Sequence, residues 1–205
     1  MSTIDSHLSI NDEGWCASLP RAACPNFDAR PVDTPISLLV IHNISLPPGE
    51  FGGSWIEELF RNELDCDAHP YFDQLRGVKV SAHFLVRRDG SVLQFVSTND
   101  RAWHAGVSEF GGRQRCNDFS VGIELEGTDV EKFCDAQYKT LALLTCALVS
   151  KYPISNVVGH QHIAPDRKTD PGPFFDWQRF QREFTEQFSD HNESAPTWGK
   201  LRFPD

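Results

Sequence analysis

Three short apolar runs in this chain each end in a titratable side chain. His42 follows Leu-Leu-Val-Ile, Glu124 follows Val-Gly-Ile, and His160 follows Val-Val-Gly. Asp170 comes ten positions after His160, immediately before a Pro-Gly-Pro sequence. Two imidazoles and one carboxylate are a common ligand set for catalytic zinc, because three protein ligands leave one tetrahedral position open. The pattern therefore predicts a Zn²⁺ site formed by His42, His160 and Asp170.

Glu124 is predicted to act as a base rather than as a fourth ligand. Zinc lowers the pKa of the water that it binds to about 7, and a nearby carboxylate can accept the proton. Lys168, two residues before Asp170, can stabilise negative charge that develops on a carbonyl oxygen. Together these residues indicate a metal-assisted amide hydrolase. Glu126, two positions after Glu124, is expected to be solvated or structural, at a point where the strand leaves the sheet.

Each of these residues, taken singly, also fits an ordinary structural role. A histidine after an apolar run is more often packed or exposed than bound to a metal, and single charged side chains are usually solvated. His83 is expected to be a hydrogen-bonded structural histidine. His104 remains open, because it suits a sugar or peptide pocket as well as simple packing. The six cysteines contain no CxxC pair and are expected to be reduced thiols.

The elements that position these residues are those of an α/β domain. The run Ser37–His42 is typical of a strand buried on both faces, and Asp89-Gly90 between two apolar runs predicts a hairpin. A helix capped by Asp135 and a last helix opened by Asp176 follow from apolar residues at helical spacing. The prediction is a single α/β domain with a central mixed β-sheet flanked by helices. It spans residues 15–188, between an N-terminal extension (1–14) and a C-terminal tail (189–205).

Composition and charge exclude several classes of partner. The net charge of −10 argues against nucleic acid, because binding phosphates requires clustered lysine and arginine. The sequence has no apolar stretch long enough to span a membrane, and its start lacks a basic region followed by an apolar run. We therefore expect a cytoplasmic monomer that binds neither nucleic acid nor membrane.

The segment 45–79, predicted as a long loop with one helix, would shape a binding cleft for a small molecule.

Four longer segments carry a family resemblance. These are VIHNISLPPGEFGG (40–53), VSAHFLVRRDG (80–90), RAWHAGVSEFGGRQRCNDFSVGIELEGTD (101–129) and GHQHIAPDRKTDPGP (159–173). They strongly resemble the AmpD-type amidases, the family of cytosolic 1,6-anhydro-N-acetylmuramoyl-L-alanine amidases of bacteria. The likeness spans about residues 14–188. The wider zinc amidase group shares its fold with phage-type amidases and peptidoglycan recognition proteins.

The resemblance implies the same roles for the residues already singled out. His42, His160 and Asp170 match the family's zinc ligands, and Glu124 and Lys168 match its catalytic residues. It further implies that three residues contact the substrate, namely Asn43, Trp103 and Arg115. The implied substrates are 1,6-anhydro-N-acetylmuramyl peptides from cell-wall recycling, whose turnover controls β-lactamase induction in some bacteria. One departure is Lys79, where relatives often carry an arginine that can bind a carboxylate through two hydrogen bonds.

Two other functions remain open at this point. A secreted or phage-encoded amidase would act on intact peptidoglycan, although the start of the chain does not suggest export. A recognition protein of the same fold would bind muropeptides without cutting them. The presence of all three ligand residues together with Glu124 and Lys168 favours an enzyme.

Overall fold

The computed structural model describes residues 8–191 and 201–204. The strands are β1 (Phe27–Ala29), β2 (Leu38–Ile44), β3 (Phe84–Val86), β4 (Val92–Gln94), β5 (Asp100–Ala102), β6 (Glu109–Phe110), β7 (Arg113–Gln114), β8 (Ser120–Glu126) and β9 (Asn156–Gly159). The α-helices are α1 (Trp55–Arg61), α2 (Asp135–Lys151), α3 (His160–Ile163) and α4 (Trp177–His191). Short 3₁₀ helices span Pro70–Leu75 and Cys116–Asp118.

Five of these strands form the central sheet, in the order β4-β3-β8-β2-β9. β3, β8, β2 and β9 run parallel to one another, while β4 is antiparallel to β3. β3 and β4 flank Asp89-Gly90, as the hairpin pattern predicts. The mixed sheet with flanking helices in one domain is confirmed.

The two faces of the sheet pack against different elements because side chains alternate along each strand. Leu39 and Ile41 of β2 join the main core, in which α2 and α4 cover one face. Leu38 and Val40 point to the other face, towards a smaller cluster that includes Ile163 of α3. The continuous apolar run therefore matches a strand buried on both sides.

The N-terminal caps of α2 and α4 were both predicted from the sequence, and one of the two predictions is correct. Asp176 Oδ1 accepts a hydrogen bond from Arg179 N at 2.8 Å, so Asp176 caps α4 as predicted. The predicted cap of α2 is wrong, because Asp135 is already its first helical residue. Gln137 Oε1 accepts from Cys134 N at 3.0 Å instead. A side chain at the third helical position reaches back to the free N–H before the helix, as glutamine does in a capping box.

Segment 45–79 lies on the side of the sheet away from α2 and contains α1 and the 3₁₀ helix Pro70–Leu75. Both elements bury apolar side chains in one cluster, including Ile56, Phe60 and Phe72. The segment therefore has more regular structure than the single helix expected from the sequence. Its packed wall borders the cleft described below.

The described ends of the chain pack on the domain. Ile10, within the predicted N-terminal extension, is buried in the main core. Arg202 pairs with Asn156 at the edge of β9, and the Phe203 ring lies 5.4 Å from that of Phe180. Residues 1–7, 192–200 and 205 of the two predicted tails lie outside the described residues. Within the described chain, no helix is long and apolar enough to cross a membrane.

Candidate active site

Adjacent strands bring His42 and Glu124 together. The two residues are register partners on β2 and β8, and both are buried. They were expected at the strand ends, but each strand continues for two more residues because Asn43 and Ile44 pair with Leu125 and Glu126. The chemistry therefore lies on the face of the sheet, just before its edge.

His160 and Asp170 come from one short loop-helix unit. His160 is the first residue of α3, directly after β9. Gln161 N donates a hydrogen bond to the Asp170 carbonyl at 2.9 Å, which folds the loop back on the helix. A Cβ on Gly159 would lie 2.5 Å from Pro171 Cδ, so only glycine lets the loop approach β9 this closely.

Three potential ligand atoms converge. His42 Nδ1 lies 3.1 Å from His160 Nδ1 and 2.9 Å from Asp170 Oδ2, and His160 Nδ1 lies 3.1 Å from the same carboxylate oxygen. His42 and His160 are buried and Asp170 is partly buried. The sequence prediction that these three residues meet is confirmed.

The chemistry of this group fits a metal ion. His160 Nε2 lies 3.1 Å from the Ala105 carbonyl, which can only accept, so the proton of the neutral ring is on Nε2 and Nδ1 carries a lone pair. Burial lowers the pKa of His42 to about 4, which keeps the His42 ring neutral near neutral pH. Electron pairs on His160 Nδ1 and Asp170 Oδ2 then face His42 Nδ1 at close range. A positive charge among these atoms, either a proton on His42 Nδ1 or a metal ion, would balance the lone pairs, and two imidazoles with one carboxylate suit zinc.

Glu124 has the properties of a proton acceptor. Among the described residues, its Oε2 is buried without a hydrogen-bond partner. Burial raises the pKa of Glu124 well above the usual value, the Asp170 charge raises it further, and the Lys168 charge opposes both. A carboxylate whose pKa is raised is a stronger base, which suits proton transfer near neutral pH.

A cleft of about 740 Å³ opens over these residues. Lys168, Asn43 and Trp103 line it, so the structure brings these three predicted site residues to the same cleft. Asn43 Nδ2 donates to Asp129 Oδ1 at 2.7 Å and to the Pro171 carbonyl at 3.1 Å. Asn43 therefore also holds the loop that carries Asp170. The opposite wall is formed partly by Leu59, Phe60, Tyr71 and Leu75 of segment 45–79.

Arg115 lies apart from the other predicted site residues. It lines a neighbouring pocket of about 680 Å³ and is not among the residues that line the main cleft. Its side chain is 68% exposed and pairs with Asp118 Oδ2 at 3.3 Å. Arg167 borders both pockets, so the Arg115 pocket adjoins the cleft across that side chain.

Two further buried histidines surround the site. His83 is structural, as predicted, because its Nδ1 accepts from Gly122 N at 3.0 Å and its Nε2 lies 3.1 Å from the Asp100 carbonyl. His104 lines the cleft, and its Nδ1 lies 2.9 Å from His42 Nε2. Sequence reasoning left His104 between a pocket and simple packing and missed this contact with a predicted ligand. Gly122 was a possible sequence signal for this contact, because a glycine in a buried strand leaves room for the His104 ring to pack against it.

Known proteins are similar to this chain in sequence and in fold. Residues 32–173 match the family model described as N-acetylmuramoyl-L-alanine amidase. The 1,6-anhydro-N-acetylmuramyl-L-alanine amidase AmpD of Citrobacter freundii is 57% identical over 184 residues, which cover 89% of this chain and 97% of that protein. A crystal structure of a selenomethionine AmpD derivative aligns with a TM-score of 0.82 at 59% identity, covering 84% of this chain and 97% of the other.

A more distant structure includes a substrate. It is the complex of the N-acetylmuramyl-L-alanine amidase AmiD of Escherichia coli with anhydro-N-acetylmuramic acid-L-Ala-D-γ-Glu-L-Lys. It aligns with a TM-score of 0.55 at 32% identity, covering 74% of this chain and 59% of that one.

Proposed function

Because the chain belongs to the N-acetylmuramoyl-L-alanine amidase family, we propose that it is a zinc enzyme acting on 1,6-anhydro-N-acetylmuramyl peptides. It hydrolyses the amide bond between the anhydromuramic acid and the L-alanine of the stem peptide. The observation that carries this proposal is the convergence of His42 Nδ1, His160 Nδ1 and Asp170 Oδ2 beside the buried Glu124.

His42, His160 and Asp170 are the residues that would hold the zinc ion. Bound zinc supplies a Lewis acid that makes water more acidic and polarises a carbonyl oxygen. The two imidazoles are neutral donors and the carboxylate brings one negative charge, so the site keeps a net positive charge when loaded. That charge favours a negatively charged transition state over the neutral amide.

Glu124 carries the proton in this mechanism. Hydrolysis removes a proton from the attacking water and delivers one to the leaving L-alanine nitrogen. Glu124 is the carboxylate next to the ligand group whose raised pKa suits both transfers. Lys168 lines the same cleft and stabilises the negative charge that develops on the scissile carbonyl oxygen.

The substrate assignment rests on the relatives and on the cleft. The named activity of the Citrobacter freundii relative and the anhydromuramyl peptide bound by AmiD indicate the same chemical class. A cleft of about 740 Å³ is within the usual range for a sugar with a short peptide. We assign Asn43 and Trp103 to contacts near the scissile bond, and Arg115 to a carboxylate farther along the stem peptide.

Mass spectrometry of the products tests the proposal. The zinc-loaded protein is incubated separately with a defined 1,6-anhydro-N-acetylmuramyl tripeptide, with its non-anhydro counterpart and with intact peptidoglycan. We expect release of the tripeptide, with faster turnover of the anhydro form. Binding without release would instead identify a recognition protein, and faster turnover of intact peptidoglycan would identify an amidase that acts on the cell wall itself.

Domain limits, oligomeric state and location are part of the same proposal. We propose an amidase domain over 15–188, acting as a cytoplasmic monomer that contributes to peptidoglycan recycling and to control of β-lactamase induction. Gel filtration and cell fractionation test the monomer and its location. Deletion of the gene, followed by measurement of accumulated anhydromuropeptides and of β-lactamase level, tests the two roles.

A further inference from the structure

A line of three buried side chains lies behind the metal ligand group. His42 Nε2 is 2.9 Å from His104 Nδ1, and His104 Nε2 is 3.1 Å from Ser120 Oγ. All three residues are buried. His42 therefore contacts the ligand group through one ring nitrogen and His104 through the other.

Packing constrains the His104 ring, and hydrogen bonds hold its backbone. A Cβ on Gly122 would lie 2.5 Å from His104 Cγ, so strand β8 has a glycine where the ring packs against it. The backbone at this point is held by Asn117 Oδ1, which accepts hydrogen bonds from the N–H groups of His104 at 3.2 Å and Ala105 at 2.8 Å. A ring held this closely has a defined hydrogen-bonding partner rather than a choice of several.

The contact between His42 and His104 can hold only one proton, and its direction decides whether His42 can bind a metal. If His104 donates from Nδ1, the neutral His42 ring must carry its own proton on Nδ1, which faces Asp170 and His160. That proton would block coordination. If His42 donates from Nε2, its Nδ1 lone pair is free, and His104 carries its proton on Nε2, where Ser120 Oγ can accept it.

We propose that His104 is a positioning residue that accepts the Nε2 proton of His42 and so presents His42 Nδ1 to the metal, while the Ser120 hydroxyl accepts the Nε2 proton of His104. The inference rests on the proposed zinc function. His160 is held in the same way by the Ala105 carbonyl, so two adjacent residues serve both histidine ligands. A carbonyl can only accept, whereas an imidazole and a serine hydroxyl can each accept or donate, so the direction of the His104 contact is read from the tautomers of the two rings. Such outer contacts orient ligands and raise their basicity.

Nitrogen-15 NMR of the zinc-loaded wild-type protein reads the tautomers directly. We expect the proton of His42 on Nε2 and that of His104 on Nε2, with both Nδ1 atoms unprotonated. A proton on His104 Nδ1 would overturn the inference while leaving the zinc function intact. A protein that binds no zinc would overturn the proposed function and the inference together.

Metal affinity of three variants provides the second test, with folding checked by circular dichroism. His104→Leu removes the acceptor, and we expect it to weaken zinc binding in a chelator competition by about 10- to 100-fold. His104→Asn places an amide oxygen near the position of Nδ1 and should recover part of that affinity. Ser120→Ala, which removes the acceptor for His104, should cause a smaller loss.

The matched control is His83→Asn, which replaces a buried histidine whose ring packs against His104 (centroids 5.8 Å apart) but which makes no hydrogen bond with a proposed ligand among the described residues. It should keep wild-type zinc affinity. Should His104→Leu fail to fold, His104→Asn and Ser120→Ala still test the inference. Wild-type zinc affinity in Ser120→Ala, together with no proton on His104 Nε2 in the wild-type NMR spectrum, would count against it. Equal losses in His83→Asn and His104→Asn would reduce the role of His104 to general packing.

Discussion

Two glutamates on one face of one strand differ in what they contact. Glu126 Oε1 accepts from Arg87 Nη1 at 2.8 Å and from Gly52 N at 2.6 Å, so it ties segment 45–79 to the sheet. Glu124 Oε2 has no such partner among the described residues. β8 ends at Glu126, as expected, and of the two roles left open for this residue the structure shows the structural one, because Glu126 still pairs with Ile44 and is buried. Both glutamates are buried, so burial does not distinguish them. What distinguishes them is that the structural Glu126 has hydrogen-bond partners for its carboxylate, whereas Glu124 Oε2 has none.

Replacing Glu124 by Gln keeps the shape of the side chain and removes the base. We expect turnover to fall by roughly a hundredfold to ten-thousandfold, because proton transfer by a positioned side chain contributes about that much. Zinc content should not change, since Glu124 is not a ligand in the proposed mechanism. Turnover of anhydromuropeptide and bound zinc are measured on the same sample, and loss of zinc would identify Glu124 as a ligand instead.

Glu126→Gln is the matched control for that experiment. The amide cannot pair with the Arg87 guanidinium as a carboxylate does, so the partly buried arginine loses one of its two carboxylate partners and keeps Glu57. We expect a lower melting temperature with turnover of the folded protein much closer to that of the wild type. Comparable turnover losses in the two variants would remove the distinction between them.

Arg115→Ala tests whether the neighbouring pocket takes part in substrate binding. The side chain is largely exposed, so its loss should leave stability and zinc content unchanged. We expect KM to rise by about tenfold or more for substrates with a free stem-peptide carboxylate, because an arginine–carboxylate contact is charge-assisted. The wild-type protein should show the same rise with a peptide-amidated substrate. If the variant also loses activity on that amidated substrate, Arg115 does not bind the carboxylate.

Among the strands and helices, the sequence predicted the features that depend on a few neighbouring residues. The apolar run before His42 and the hairpin at Asp89-Gly90 were identified because strand burial and turn chemistry act over a few residues. The meeting of His42, His160 and Asp170 could be inferred because parallel strands carry the residues that follow them to the same edge of a sheet. Family resemblance then supported these assignments.

The sequence could not reveal contacts set by packing between distant segments. The proposed role of His104 depends on two residues of β8. Ser120, 16 positions later along the chain, contacts its ring, and Gly122 leaves room for that ring because it has no side chain. The separation of Arg115 from the main cleft depends on how the loop around β6 and β7 folds back. The pairing of residue 202 with β9 likewise joins segments without any local signal.

That C-terminal pairing carries a prediction of its own. Val157 N donates to the Arg202 carbonyl at 2.8 Å, and the Phe203 ring packs against Phe180 and Phe184. Phe203→Ala should destabilise the fold by about 1.5–2.5 kcal/mol, roughly half the usual cost of a fully buried phenylalanine, because the ring is only half-buried. Thermal unfolding measures the loss. Phe174→Ala, at an exposed phenylalanine, serves as the control, and an equal shift in both would show that the C-terminal segment does not stabilise the domain.

At the scale of the whole molecule, the apolar core and the ligand group are separate. The main core lies between the sheet and helices α2 and α4, whereas the converging ligand atoms lie beside the cleft on the other face. The ligand residues come from β2 and from the loop-helix unit that follows β9, and each of these is anchored by strand pairing and by hydrogen bonds of its own. The fold therefore does not depend on a metal to bring its elements together.

Metal removal should accordingly abolish turnover without unfolding the protein. After chelation and verified loss of zinc, we expect an unchanged far-ultraviolet circular dichroism spectrum, no hydrolysis of anhydromuropeptide, and full recovery when zinc is returned. The melting temperature should fall on chelation, because a ligand present at a hundred times its Kd stabilises the folded state by about 2.7 kcal/mol. Cooperative unfolding on chelation would show that the ligand group holds the fold together, as in small zinc-dependent domains. Full turnover by the verified metal-free protein would instead contradict the zinc mechanism, since Glu124 alone would then have to activate the attacking water.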